Sequence, residues 1–309
     1  MANRNIVSLG NVIFDDIDKN PYLNELYENI LYNYSLRLFQ IKSEYKPVNI
    51  SDALRFADIL SKSPADSHMT WAQEMVALLK EIEPNNPDID IYLNSVLSNT
   101  GNYQGLETAE NKKVAPISVR RNLLERFHEE YSKELVSIPA EPDKLFFRPQ
   151  RQIYDRLTEP YFSYSGPTSM GKSFIMRMFI KKQVQDGMKF NYALIVPTKA
   201  LINEVSSKII SDLGALLKEM NYRVVTSAGA LALEEEHNFI YVLTPERLLY
   251  LLIRHKDKDI DYLFIDEAHK ITSKDKRSTF YYKNIDMLAQ RERKPHIIFA
   301  SPNIPNPEI

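Results

Sequence analysis

Along the first part of the chain, apolar residues recur every three or four positions. From Pro21 the run YLNELYENILYNYSLRLFQI sets Leu23, Leu26, Tyr27, Ile30, Leu31 and Tyr34 on one helical face. Similar spacing predicts helices over Ser51–Ser61, Asp66–Ile82, Asp88–Leu97 and Ser118–Leu135. Ser51 followed by Asp52 predicts an N-cap, and Pro87 ahead of Asp88 suits a helix entry. Polar breaks such as Glu83-Pro84-Asn85-Asn86-Pro87 lie between them, and no strand alternation competes. The expectation is an all-helical N-terminal domain over residues 1–143, leaving through Ile138-Pro139-Ala140-Glu141-Pro142 as a linker.

After Lys144 the pattern changes to short β-rich runs alternating with helices. Strands are predicted at Tyr161–Ser165, Tyr192–Val196, Arg223–Thr226, Phe239–Leu243, Tyr262–Ile265 and Ile297–Ala300. The helices between are Lys172–Gln185, Ala200–Lys218, Pro245–Arg254 and roughly Phe280–Arg291. This alternation predicts an α/β domain over 144–309, with a parallel sheet covered by helices and ligands at the carboxyl ends of its strands.

Composition adds limits. The chain has 309 residues, enough for two domains, and a formal net charge of −2, so a polyanion must be held by a local patch. It contains no cysteine, which excludes disulfides and thiolate metal sites. The N-terminus lacks the basic and apolar regions of a signal peptide, and stretches such as Leu248–Ile253 are too short to span a bilayer. A cytoplasmic protein without membrane contact is expected.

Two segments carry the chemistry. SGPTSMGKS fits G-x-x-x-x-G-K-[ST] from Gly166 through Gly171, Lys172 and Ser173, between a predicted strand and a predicted helix. Its glycines let backbone N–H groups turn toward phosphates, Lys172 supplies a point charge, and the Ser173 hydroxyl suits Mg²⁺. The second segment is Asp266-Glu267 at the end of the apolar run Tyr262–Ile265. Two carboxylates there are costly unless something pairs with them. Together the two predict ATP binding, with Asp266 on Mg²⁺ and Glu267 polarising a water. The mixed charge runs at 254–258, 274–277 and 291–294 read as solvated faces, and Trp71 and the N-terminal tyrosines as packing. The histidines show no zinc-ligand spacing.

These motifs resemble the first RecA-like domain of a superfamily-two DEAH/DExH-box helicase. Motif I is similar to Gly166–Ser173, with Gly166, Thr168, Ser169, Gly171, Lys172 and Ser173 around the nucleotide, and motif II to Asp266–His269. PTKALINE (Pro197–Glu204) resembles motif Ia and TPERL (Thr244–Leu248) motif Ib. SPNIPNPE (Ser301–Glu308) resembles motif III and a sequel of Ski-type character, and Gln150 (or its neighbour Gln152) the adenine-reading glutamine. The resemblance implies Lys172, Asp266, Glu267 and His269 as catalytic residues, with ATP and Mg²⁺ as cofactors. It implies backbone contacts to DNA or RNA from Thr198, Lys199, Thr244, Glu246 and Arg247, and coupling through Ser301 and Asn303. Motif III is usually Ser-Ala-Thr, whereas Ser301-Pro302-Asn303 puts a proline, which has no backbone donor, in the middle.

Members of this family close ATP between two RecA-like domains, and the sequence to Ile309 holds one. The expectation is the N-terminal portion, or one half, of a helicase or translocase that binds Mg·ATP and hydrolyses it very slowly alone. The alternative is a nucleotide-gated adaptor without unwinding activity, its helical domain recruiting a protein partner.

Overall fold

The computed structural model describes residues 14–103, 105–106, 123–167, 170–227, 237–272 and 276–302. The chain divides into two compact units, Met1–Val136 and Ser137–Ile309.

In the first unit, α1 (Pro21–Leu38), α2 (Ile50–Ser61), α3 (Asp66–Ile82) and α4 (Pro87–Asn99) surround a core that includes Leu23, Ile30, Leu54, Leu60, Met75 and Leu79. The helical periodicity of α1 is borne out, since Leu23, Leu26 and Ile30 are buried. Asn20 caps α1 by accepting from the backbone N–H groups of Tyr22 and Leu23. Asn49, rather than Ser51, caps α2, accepting from Asp52 N. Asn86 caps α4, with Pro87 in its first turn. Buried His68 links Ser63 Oγ (2.7 Å) to Asp18 (2.5 Å), tying the chain ahead of α1 to α3. A further helix, α5 (Leu123–Val136), completes the described part of this unit.

The second unit opens with a hairpin, β1 (Ser137–Ile138) and β2 (Glu141–Leu145), where a linker was expected. Ile138 and Ala140 are buried in the core of this unit, and Glu141 pairs with Lys144 (2.5 Å) and Lys181 (2.6 Å). Then follow α6 (Arg148–Arg156), β3 (Tyr161–Ser165), α7 (Lys172–Gln185), β4 (Tyr192–Ile195), α8 (Lys199–Leu213), α9 (Leu216–Glu219) and β5 (Tyr222–Val225). The remainder is β6 (Asn238–Leu243), α10 (Pro245–Arg254), β7 (Tyr262–Ile265), a 3₁₀ turn at Ala268–Ile271, α11 (Ser278–Ala289) and β8 (His296–Ser301). The helix expected over Ala200–Lys218 breaks at Gly214, whose φ is +50°.

Among the described residues the sheet runs β3-β8-β7-β4-β6-β5, with every pairing parallel. Both faces are covered, as continuous apolar strands require. On β4, Tyr192 and Leu194 enter one core with α7 and α8, while Ala193 and Ile195 enter the other with α10 and α11. This is a RecA-like α/β architecture preceded by a helical unit.

At the amino ends of the strands, polar groups close on one another. Asp261 Oδ2 accepts from Asn191 N (2.7 Å), and Asn191 Oδ1 accepts from Phe239 N (2.8 Å). Arg293 pairs with Asp261 at 2.5 Å, and His296 stacks on Tyr262 with ring centroids 4.5 Å apart. That end is sealed.

Candidate nucleotide and nucleic-acid site

At the carboxyl ends the same strands deliver a row of loops. Strand order sets them side by side as Gly166 after β3, Ser301 ending β8, Asp266 after β7, Pro197 and Thr198 after β4, and Thr244 after β6. Ladder bonds continue beyond the strands and join neighbours: Gly166 N donates to Ser301 O (3.1 Å), Asp266 N to Ile195 O (3.0 Å) and Val196 N to Leu243 O (2.9 Å). Phosphate-loop, carboxylate and helix-start segments therefore share one rim, with the carboxylates in the middle.

In the phosphate loop the two glycines differ. A β-carbon on Gly166 would meet the Met170 sulfur, at the movable end of that side chain. Gly171 caps α7 at φ +77°, in left-handed backbone, and a β-carbon there would lie 3.2 Å from Gln150 Nε2. Lys172 is buried, and its ammonium donates to Gly166 O (2.9 Å) and Pro167 O (3.3 Å). Ser173, one residue on, is half-buried at the helix start. Thr168 and Ser169 lie outside the described residues.

Gln150 is buried and holds two elements together. Its Oε1 accepts from Phe147 N (2.9 Å), closing the start of α6, and its Nε2 donates to Met170 O (2.8 Å) in the loop. Buried Tyr164, on β3, directs its hydroxyl toward Lys172 O at 3.5 Å. Burial, and then the charge of Asp266, push its hydroxyl far above the ordinary range, so it stays protonated.

Asp266 accepts from Glu267 N at 3.1 Å. Burial first, and the charge of Glu267 second, raise its carboxyl above the usual range. Glu267 adopts φ +56° and ψ +44°, a left-handed backbone that costs energy for a residue with a side chain. His269 Nδ1 lies 3.5 Å from a Glu267 oxygen, and this buried atom has no hydrogen-bond partner. Among the described residues no cluster of three or more His, Asp or Glu surrounds a point. Mg²⁺ in a phosphate-loop site needs none, because it takes one or two carboxylates together with the nucleotide's own phosphates. The Ser173 hydroxyl and the Asp266 carboxylate, beside the Lys172 ammonium, are oxygen donors of the kind that fits Mg²⁺ and a polyphosphate.

Farther along the rim, two helix starts stand next to each other. Thr198 caps α8, its Oγ1 accepting from Leu201 N at 3.4 Å, and Lys199 is exposed. Thr244 is the N-cap residue of α10 and is buried. Arg247 is turned to the protein, donating to Thr226 O at 2.8 Å. Glu246 is committed to Arg277, whose guanidinium contacts both carboxylate oxygens at 2.5 and 3.1 Å. Burial alone would raise the Glu246 carboxyl, but hydrogen bonds from Arg277, the backbone and Thr244 hold it below its ordinary range. Ser301 is buried, and Asn303 lies outside the described residues. Sequence reading missed Arg277, which sits within a mixed charge run read as solvated.

Comparison with known proteins agrees with this arrangement. A family model described as "DEAD/DEAH box helicase" matches residues 147–308, just over half of the chain. No curated protein matches. Matching solved structures include the crystal structure of the DUF1998 helicase MrfA, with a TM-score of 0.42 and 18% identity. The matched region covers 54% of this chain and 28% of that one, and a likeness at that score carries no weight for function. No helix among the described residues is long and apolar enough to cross a membrane. From the family match, over the unit that carries the phosphate loop and the carboxylate pair, the chain belongs to the DEAD/DEAH box helicase family.

Proposed function

We propose that this chain is the ATP-binding part of a nucleic-acid helicase or translocase, taking Mg·ATP at one half of the rim and one strand's backbone at the other. The observation that carries this is the buried Lys172 ammonium, whose described partners are two carbonyls of its own loop. Besides those neutral carbonyls, its charge acts on the carboxyl of Asp266, so the cation and the proposed Mg²⁺ ligand already face one site. A polyphosphate would replace the carbonyls with charge-assisted bonds.

In this reading Lys172 and the loop amides bind the phosphates, while Gln150, engaged at both ends of its amide, orients the loop and leaves adenine contact to the exposed Gln152. The Ser173 hydroxyl and the Asp266 carboxylate would hold Mg²⁺, which supplies positive charge to the phosphoryl oxygens. Glu267 orients a water, and His269 relays the state of that site. Ser301 joins β8 to the phosphate loop through Gly166, which supports a coupling role for this segment. The helix start at Thr198-Lys199 offers backbone amides, a hydroxyl and an exposed cation to sugar-phosphate, and the start of α10 offers the backbone amides beyond Pro245. Such chemistry positions a strand without reading its sequence.

The helical unit serves a different partner. Over Met1–Val136 it carries twenty acidic against fourteen basic side chains, a net negative balance that disfavours a polyanion and suits a protein.

Titrations of the purified chain test the reading. Mant-ATP should bind saturably and only with Mg²⁺, and fluorescein-labelled oligo(dT) or oligo(U) should bind with affinity that falls as salt rises. A chain that binds neither the nucleotide nor either oligonucleotide contradicts it.

A further inference from the structure

Arg277 joins three segments that lie far apart in the sequence. Its Nε and Nη2 grip both oxygens of Glu246 at the start of α10, and its Nη1 donates to Pro197 O at 2.9 Å, just ahead of the α8 cap. Arg277 itself is the N-cap residue of α11, on the segment that leaves the carboxylate pair. A single guanidinium thus spans the two helix starts and the chain running from Asp266-Glu267.

We propose that Arg277 is a positioning residue for the nucleic-acid strand, holding the N-termini of α8 and α10 at one spacing and tying that spacing to the segment after Glu267. It rests on the strand-binding reading above. Two helix N-termini can serve successive phosphates of one strand only if their separation is fixed. The planar guanidinium is suited to this, because its fork meets a carboxylate with two bonds while another nitrogen reaches a carbonyl on a different loop. An ammonium cannot meet the carboxylate as a fork and still reach the carbonyl. Direct capture of a phosphate by Arg277 is the less favoured role, since three of its nitrogens already face Glu246 and Pro197.

The two roles differ in salt dependence. A cation that touches a phosphate contributes about one unit to the slope of log affinity against log salt, whereas a cation acting through other groups contributes none. Oligo(dT) and oligo(U) anisotropy titrations of the chain, over a range of salt, should show Arg277→Ala weakening binding about tenfold with an unchanged slope. Arg277→Lys should recover little of the loss. The isosteric Glu246→Gln should weaken binding less, and the double variant should be no weaker than Arg277→Ala alone, because both changes break one clamp. Mant-ATP affinity should stay within about twofold in every variant.

Wild-type affinity in Arg277→Ala, full recovery by Arg277→Lys, or a slope reduced by about one would each overturn the proposal. So would a parallel loss of mant-ATP binding, which marks general damage to the fold. If Arg277→Ala fails to fold, Glu246→Gln carries the test, and unchanged binding in it contradicts the clamp. A wild-type chain that binds neither oligonucleotide removes the strand-binding reading and this inference together. A wild-type chain that binds, with variants equal to it, removes the inference alone.

Discussion

The two ends of the sheet are built from the same strands and carry different residues, side chains that link neighbouring strands at one and the phosphate-loop and carboxylate segments at the other. At the amino ends Asn191 and Asp261 answer each other and Phe239, and Arg293 closes over them. At the carboxyl ends the phosphate loop and Asp266-Glu267 follow β3 and β7, on either side of β8, with Lys172 held by carbonyls of its own loop. Strain and polar atoms without hydrogen bonds do not separate the ends: Asn221 ahead of β5 is left-handed as Glu267 is, and Asp261 Oδ1 lacks a hydrogen bond as His269 Nδ1 does. The proposed function puts chemistry at the carboxyl ends alone, so substitutions at each end should separate along that line.

The largest expected effect is on turnover. Whatever rate of phosphate release the chain shows with oligonucleotide present, Glu267→Gln should lower it about a hundredfold or more, with mant-ATP affinity nearly unchanged. Equal turnover would remove Glu267 from the chemistry. At the other end, Asp261→Ala strands the Asn191 N–H and should cost about 2–3 kcal/mol in urea unfolding, while the folded protein binds nucleotide as before. A loss of nucleotide affinity without a loss of stability would reverse the contrast.

A smaller change has opposite signs for the two properties. Glu267→Gly should relieve the left-handed backbone and raise stability by about 1 kcal/mol, while turnover falls as in Glu267→Gln. Unfolding and phosphate-release measurements on the same sample would show both. The smallest effect concerns Glu246, whose carboxyl is held below its ordinary value of 4.5. A depressed acid stabilises the folded state above its unfolded pKa, and that contribution disappears as pH falls through the folded value. Glu246→Gln should therefore cost about 0.5 kcal/mol near neutral pH, a figure kept small because the pair is partly exposed and screened. The gap between variant and wild type should close below pH 4.5. A gap that persists in acid would assign the cost to packing.

Much of this contrast can be traced to sequence, and the gaps have physical causes. Strands such as Tyr262-Leu263-Phe264-Ile265 are buried on both faces and bounded by polar residues, so their apolar runs stand out. The phosphate loop is a local pattern, and at Gly171 the left-handed backbone gives its glycine a conformational cause. By contrast α6 is missed because RPQRQIYDR buries only Gln150, Ile153 and Tyr154, and Pro149, which opens the helix, resembles a breaker. The β1–β2 hairpin is short and contains Pro139 and Pro142, which disguise it as a linker. Gly214 divides a helix whose apolar spacing continues across the break. Arg277 leaves no local signal, since its partners stand 31 and 80 positions away.

The measurement closest to the central claim is a mant-ATP titration with Mg²⁺ of the wild-type chain and Lys172→Ala, each checked for the same cooperative thermal unfolding. Saturable binding by the wild type, weakened about a hundredfold or more in the variant, is the result predicted for a buried cation held ready for phosphates. Equal affinity in the two folded proteins would contradict the assignment of the carboxyl end of the sheet to nucleotide.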